Sequence, residues 1–276
     1  DTLVLIGAFF WAFHIVYLSK FLKLFNYPIA ITMGTCLIGS IIAFIPSLVF
    51  ENIDRVDAKY KSDNTIVTET DFCIENQIRN LIRESYPNHN IVGEEYDEIN
   101  NGSDYTWTVD PIDGTLSYAH GVPLFGLLLG LSLKDIPLYG SMRLPMVRNN
   151  FLAGDSSVCL LNGGQVQTKK FTGWSNSLIL TTDFERIRNS KYSEIYQGLI
   201  GKGSTSRTWG DCFGYFLLCS GRADLMMDLS LKDCDITPLI PIIIGAGAKI
   251  IKLDGSYNNI VACVPELENR ILENLN

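Results

Sequence analysis

The pattern of apolar and polar positions divides the chain into two unlike parts. Residues 3–18 are almost wholly apolar, and residues 29–50 form an uncharged run, with the break SKFLKLFNYP between them. Residues 1–50 carry only three charged side chains, Asp1, Lys20 and Lys23. A run of that length is enough to cross a bilayer core, so the pattern predicts a hydrophobic helical hairpin over residues 1–52 and membrane association through residues 1–50. Gly34, Gly39 and Pro46 do not oppose this, because membrane helices tolerate both residue types. A cleaved signal peptide fits poorly, for want of a basic leading region and a small-residue cleavage site. Two buried helices of a soluble core are the alternative.

From Glu51 the texture changes. The polar stretch ENIDRVDAKYKSDNT introduces a second domain, residues 53–276, in which helical and strand patterns alternate. Phe72, Ile74, Ile78, Leu81 and Ile82 recur at helical spacing. Residues 91–92, 105–109, 124–133, 138–144, 178–180, 223–227, 249–253 and 260–264 read as strands. Asp211–Cys219 and residues 236–244 suit buried helices, and Pro265 opens a final one. With no internal repeat, this predicts an α/β or layered α+β fold.

Composition removes several function classes. A net charge of −8 leaves no broad nucleic-acid-binding face. The acidic clusters suit hard cations, so a metal would have to recruit any phosphate substrate. Seven dispersed cysteines, an odd number without a CxxC pair, read as reduced buried thiols of a cytoplasmic protein. Three histidines, His14, His89 and His120, are a poor stock for a zinc centre or a Ser-His-Asp hydrolase.

Three acidic groups sit where elements end, the usual place for scaffolded sites. They are Gly93-Glu94-Glu95, Asp110-Pro111-Ile112-Asp113-Gly114-Thr115 and Asp233-Cys234-Asp235. Asp110 and Asp113, on one tight turn, are able to point into a single cavity, with the Ile112 carbonyl as a further oxygen donor. Magnesium needs such hard oxygen ligands. Gly114 lets backbone approach a phosphate, and the Thr115 hydroxyl is suited to orienting water or a phosphate oxygen. Taken singly these are modest signals: a solvated turn, a proline-glycine turn and a helix N-cap pair.

In combination they resemble a known family. VTETD, GEE, WTVDPIDGT and LKDCDITPLIPIIIGAGA occur in the order found in the inositol-monophosphatase superfamily, from about Lys59 to the C-terminus. The resemblance implies an α-β-α-β-α sandwich, usually a homodimer, that hydrolyses a small-molecule phosphate ester. It implies two or three Mg2+ ions held by Glu94, Asp110, the Ile112 carbonyl, Asp113 and Asp235. Asp71 would support Thr115 near the attacking water, with Glu94 orienting or deprotonating it. The stretch GAGA stands where the family commonly has an acid and paired glycines. A helix that normally precedes the Lys61 region is absent from the sequence pattern.

The substrate branch rests on Arg207-Thr208-Trp209-Gly210-Asp211-Cys212-Phe213-Gly214-Tyr215, similar to the RxWGDCxGY stretch of histidinol-phosphate phosphatases. GRADLMMD, ending in Asp228, fits the same branch. Asp211 and Asp228 would pair with a cationic leaving group, and Arg207 would order these acids or contact phosphate. An internal Arg207–Asp211 ion pair beside Trp209 is the alternative. Inositol monophosphate or a nucleotide 3′-phosphate is the other substrate reading. A membrane-anchored or fused, catalytically impaired phosphatase-fold module is the reading of another class. Residues 1–50 also resemble one helix pair of a drug/metabolite transporter. If they form a hairpin foreign to the phosphatase, the full chain should require detergent while residues 53–276 stay dispersed without it. A monodisperse, detergent-free full chain would refute the hairpin.

Overall fold

Residues 57–61 and 66–273 are described by the computed structural model, and the hairpin expected over residues 1–52 lies outside them. Among the described residues no helix is long and apolar enough to cross a membrane. Strands β1 (Ala58–Tyr60) and β2 (Ile66–Thr68) form a small antiparallel pair, and helix α1 (Glu69–Ser85) follows. Its Ile74, Ile78 and Ile82 make one buried stripe. Phe72 falls off that stripe, half a turn away from Ile74, and packs edge-on to Tyr96 at the surface.

A seven-stranded sheet comes next, its strands in chain order. They are β3 (Asn90–Gly93), β4 (Tyr105–Asp113), β5 (Gly126–Leu133), β6 (Ile136–Leu144), β7 (Asn150–Gly154), β8 (Cys159–Leu161) and β9 (Gly164–Val166). A short helix, α2 (Thr115–Ala119), sits between β4 and β5. Only β3 and β4 are parallel. Strand β5, GLLLGLSL, is buried on both faces, which explains its continuous apolar run. Leu127, Leu129 and Leu131 join the stripe of α1, while Leu128 faces the other way.

The second sheet is mixed, in the order β11-β10-β12-β14-β13. Its strands are β10 (Leu178–Thr181), β11 (Thr205–Arg207), β12 (Leu225–Leu229), β13 (Lys249–Lys252) and β14 (Asn259–Cys263). Helices α3 (Phe184–Arg188), α4 (Ser193–Ile200) and α8 (Glu268–Leu272) cover it. Between the two sheets lie α5 (Asp211–Cys219), α6 (Asp233–Ile236) and α7 (Leu239–Gly245), so the layers run α-β-α-β-α as expected. The single helix expected over residues 236–244 is instead interrupted at Thr237-Pro238. Backbone angles stay helical there, and the interruption is one of hydrogen bonding, because proline has no N–H to donate. The hairpin from β8 to β9 turns on Asn162-Gly163, both with positive φ, a two-residue turn signal that the strand expectations passed over.

A row of glycines decides how close the middle layer lies to the first sheet. Gly130, Gly140 and Gly154 stand opposite one another on β5, β6 and β7. A Cβ on Gly140 would overlap the Pro238 carbonyl oxygen, one on Gly130 would lie 3.1 Å from Pro238 Cα, and one on Gly154 2.8 Å from Ile242 Cα. Helix α7 therefore rests on bare backbone. Gly140→Ala should destabilise the protein by about 3 kcal/mol, since the obstruction is backbone that has no rotamer to yield. Gly198→Ala, in α4 with open space around it, should be neutral or stabilise by about 1 kcal/mol. Denaturant unfolding of both variants checks the contrast.

Candidate functional site

The acidic turn grows out of the end of β4. Asp110 pairs with Leu128 and Asp113 with Gly126, and the register shifts between them, so the strand bulges at DPID. The buried Asp110 accepts the Ile112 N–H on Oδ1 at 3.1 Å, which fixes the turn. Gly114 has φ +89°, and a Cβ there would sit 2.9 Å from the Leu124 carbonyl oxygen and 3.3 Å from Asp211 Oδ2. Glycine is thus required by both conformation and space, and the Asp211 carboxylate abuts this turn. Thr115 Oγ1 donates to the Ile112 carbonyl at 2.9 Å.

Asp235 enters from the middle layer. Its Oδ2 caps the start of α6 by accepting the Lys232 N–H at 2.8 Å, and Cys234 Sγ donates to its Oδ1 at 3.3 Å. Ligand atoms of Glu94, Asp110, Cys234 and Asp235 all lie within 4.8 Å of one another. Glu94 follows β3, and two amines meet its Oε1: Lys61 at 3.3 Å and Lys232 at 3.0 Å. Lys61 also binds Glu95 Oε2 at 2.7 Å.

The electrostatics of this cluster are adverse without a cation. Burial, then the charge of Glu94, holds Asp110 well above the usual carboxylate range. Burial, then Asp211, does the same to Asp113, and burial also raises Asp235. Glu95 is pushed up to about 7, mainly by burial. Like charges so placed do not all ionise unless something positive joins them. Asp71 adds an orphan: its Oδ2 accepts Thr68 N–H at 2.8 Å and Thr68 Oγ1–H at 2.5 Å, while its wholly buried Oδ1 has no partner. Carboxylate oxygens, a carbonyl and an unsatisfied buried oxygen together fit a hard divalent cation with its hydration water.

Of the sequence-predicted ligands, Glu94, Asp110 and Asp235 converge, and Ile112 and Asp113 belong to the same turn. Asp113 Oδ2 accepts the Cys212 N–H, which ties the turn to the first residues of α5. No hydrogen bond joins Asp71 to Thr115; each has a nearer partner, Thr68 and the Ile112 carbonyl respectively. Asp211 is held at φ +48°, a left-handed conformation, with its N–H donating to Thr182 Oγ1 at 2.9 Å. Thr182 in turn donates to Asp228 Oδ2 at 2.8 Å. Burial pushes Asp211 up to about 6 and Asp228 up to about 7.

Asp228 is therefore buried behind Thr182, whereas Asp211 borders the acidic turn. Arg207 is exposed, bonds its neighbour's Ser206 carbonyl and lies 5.9 Å from the Trp209 ring centre. It forms no ion pair with Asp211 among the described residues. The cation whose charge acts on both Asp211 and Asp228 is Arg186, anchored to the Leu229 carbonyl at 3.0 Å. Sequence reasoning missed Arg186, Thr182, Lys232 and Cys234 as members of this region. Cys234 had a signal, lying between two acids. Lys232 had none, since nothing local tells that it meets a residue 138 positions away.

Comparison with known proteins supplies the context. The family model described as the inositol monophosphatase family matches residues 36–275, so its leading edge falls inside the uncharged run of residues 29–50. Histidinol-phosphatase of Chlorobaculum parvum is 34% identical over 187 residues, 68% of this chain and 72% of that protein. Bifunctional phosphatase IMPL2, chloroplastic, of Arabidopsis thaliana is 29% identical over 237 residues, 80% of this chain and 68% of that one. Among solved structures, extragenic suppressor protein suhB from Bartonella henselae superposes with a TM-score of 0.79 at 18% identity. That match covers 91% of this chain and 99% of the other, and establishes a shared fold. The family match, the identity to a phosphatase over two thirds of the chain and the shared layering lead to one conclusion: this chain belongs to the inositol monophosphatase family, a family of phosphatases.

Proposed function

We propose that this chain hydrolyses a small phosphate monoester whose alcohol carries a positive charge, with L-histidinol phosphate as the substrate and magnesium as the cofactor. Glu94, Asp110, the Ile112 carbonyl, Asp113 and Asp235 are the residues that would hold the metal. Bound Mg2+ supplies Lewis acidity toward the phosphate oxygens and toward a water molecule. The chain's own groups do the rest. Glu94, steadied at one oxygen by Lys61 and Lys232, orients that water and accepts its proton. Thr115 and the left-handed Gly114 shape the turn against which phosphate lies. No covalent intermediate on the protein is required.

The observation that carries the substrate reading is Asp211. Its half-buried carboxylate borders the Asp113–Gly114 turn and has no ion-pair partner within contact distance among the described residues, Arg186 acting on it only through space, which leaves it able to receive a cationic leaving group. Asp228 and Thr182 stand behind it and fix its backbone. The similarity to histidinol-phosphatase of Chlorobaculum parvum supports the same choice. A phosphate-release panel of histidinol phosphate, inositol monophosphate and nucleotide 3′-phosphates tests it. Preference for the neutral esters would defeat the reading.

Two further outcomes follow from the charges. Asp110→Asn should abolish magnesium-dependent turnover yet leave the metal-free protein at least as stable as wild type at neutral pH. The sign comes from linkage: a carboxyl raised by folding favours the folded state only while protonated, and this stabilisation is lost as pH rises through the folded pKa. Phosphate release reads the first half, and thermal unfolding in chelator and in magnesium the second, with only the wild type gaining from the metal. Asp211→Ala should raise KM for histidinol phosphate about ten- to a hundredfold, and far less for a neutral ester. In wild type the preference should fade as pH drops through about 6, where Asp211 takes up a proton. Equal losses on both esters would make Asp211 structural.

A further inference from the structure

The donor set around Glu94 is not purely oxygen. Cys234 Sγ lies within 4.8 Å of the ligand atoms of Glu94, Asp110 and Asp235, and it is oriented toward Asp235 Oδ1 at 3.3 Å. Five of the described cysteines are buried, but Cys234 alone of them joins a cluster of potential ligand atoms. The same acidic neighbourhood also holds a buried oxygen without a partner. The carboxyl of Asp71, wholly buried, has one oxygen with no partner, and it lies close enough to Asp110 and Glu94 for their charges to be felt mutually.

Three carboxylates are a poor discriminator among divalent cations, whereas a sulfur ligand is a strong one. Magnesium gains nothing from a thiol. Zinc and cobalt bind thiolate readily, accept four ligands of mixed oxygen and sulfur, and tolerate the compact spacing seen here. Coordination replaces the S–H bond by a metal–sulfur bond and releases the thiol proton to solvent. We propose that Cys234 converts the acidic cluster into a binding site for a thiophilic divalent cation, of which Zn2+ is the type, held by Glu94, Asp110, Cys234 and Asp235 in competition with magnesium. This rests on the magnesium reading above for the competitor, but not for the site itself. Such an ion would occupy the acids needed for hydrolysis while presenting the wrong geometry, so trace zinc acts as an occluding inhibitor.

The full chain titrated with Co2+ decides the matter without substrate. Wild type should develop a near-ultraviolet sulfur-to-cobalt charge-transfer band, which Zn2+ displaces stoichiometrically and millimolar magnesium displaces by competition. Cys234→Ser should lose the band, whereas Cys73→Ser, at the exposed cysteine, should keep it. Zinc affinity of Cys234→Ser should fall about ten- to a hundredfold relative to wild type. Circular dichroism of the variant confirms that it is folded, and the displacement of cobalt in wild type needs no variant at all. A band that persists in Cys234→Ser, no band in wild type, or equal zinc affinities would overturn the proposal. Loss of magnesium-dependent phosphate release in the wild type would count against the phosphatase reading alone, because the cobalt band is read in its absence.

Discussion

Close contact between helix α7 and the bare strip of β5, β6 and β7 is the constraint on which the site depends. Three glycines in register remove the side chains that would otherwise hold the helix away, and the Pro238 carbonyl occupies the space of a Cβ. Pro238 lies three residues beyond Asp235. The depth at which the helix docks is therefore the depth at which the Asp235 carboxylate meets Asp110 and Glu94. A displacement of one methyl diameter there would move a ligand atom by more than an octahedral cation tolerates.

The two sheets divide the chemistry between them. The first supplies Glu94 and the DPID turn from the ends of β3 and β4. The second supplies Thr182 and Asp228 from the ends of β10 and β12, and the middle layer carries Asp211 and Asp235 at helix starts. Helix α5 is coupled to the acidic turn by Asp113 accepting the Cys212 N–H, and to the second sheet by the Asp211 N–H on Thr182. A change in one wall is thus felt at the other through two hydrogen bonds.

Much of this was legible in the sequence, and the reasons are physical. The stripe of Ile74, Ile78 and Ile82, the doubly buried run of β5 and the residues of α5 follow from periodicity, which reflects burial directly. The acidic turn was legible because proline, glycine and two aspartates have few other uses together. The short strands β7, β8 and β9 were not, since strands of three to five residues with polar flanks carry little pattern. Asp228 was placed beside the substrate on its sequence neighbours alone. Its hydrogen bond from Thr182 depends on pairing between β10 and β12, which is a tertiary fact. Arg186 escaped notice for the same reason.

The Lys232–Glu94 contact has a consequence for how the protein comes into being. It closes a loop of 138 residues, and the Lys61–Glu94 contact closes one of 33. Loop closure grows costlier with length, and contacts so distant form late. In chain order the strands of the first sheet, residues 90–166, precede the segment 232–235 that brings Lys232 and Asp235. Lys232 and Asp235 reach Glu94 and Asp110 on one short segment of the middle layer. Any rearrangement that brings the Asp235 charge to the cluster therefore brings the compensating Lys232 amine with it.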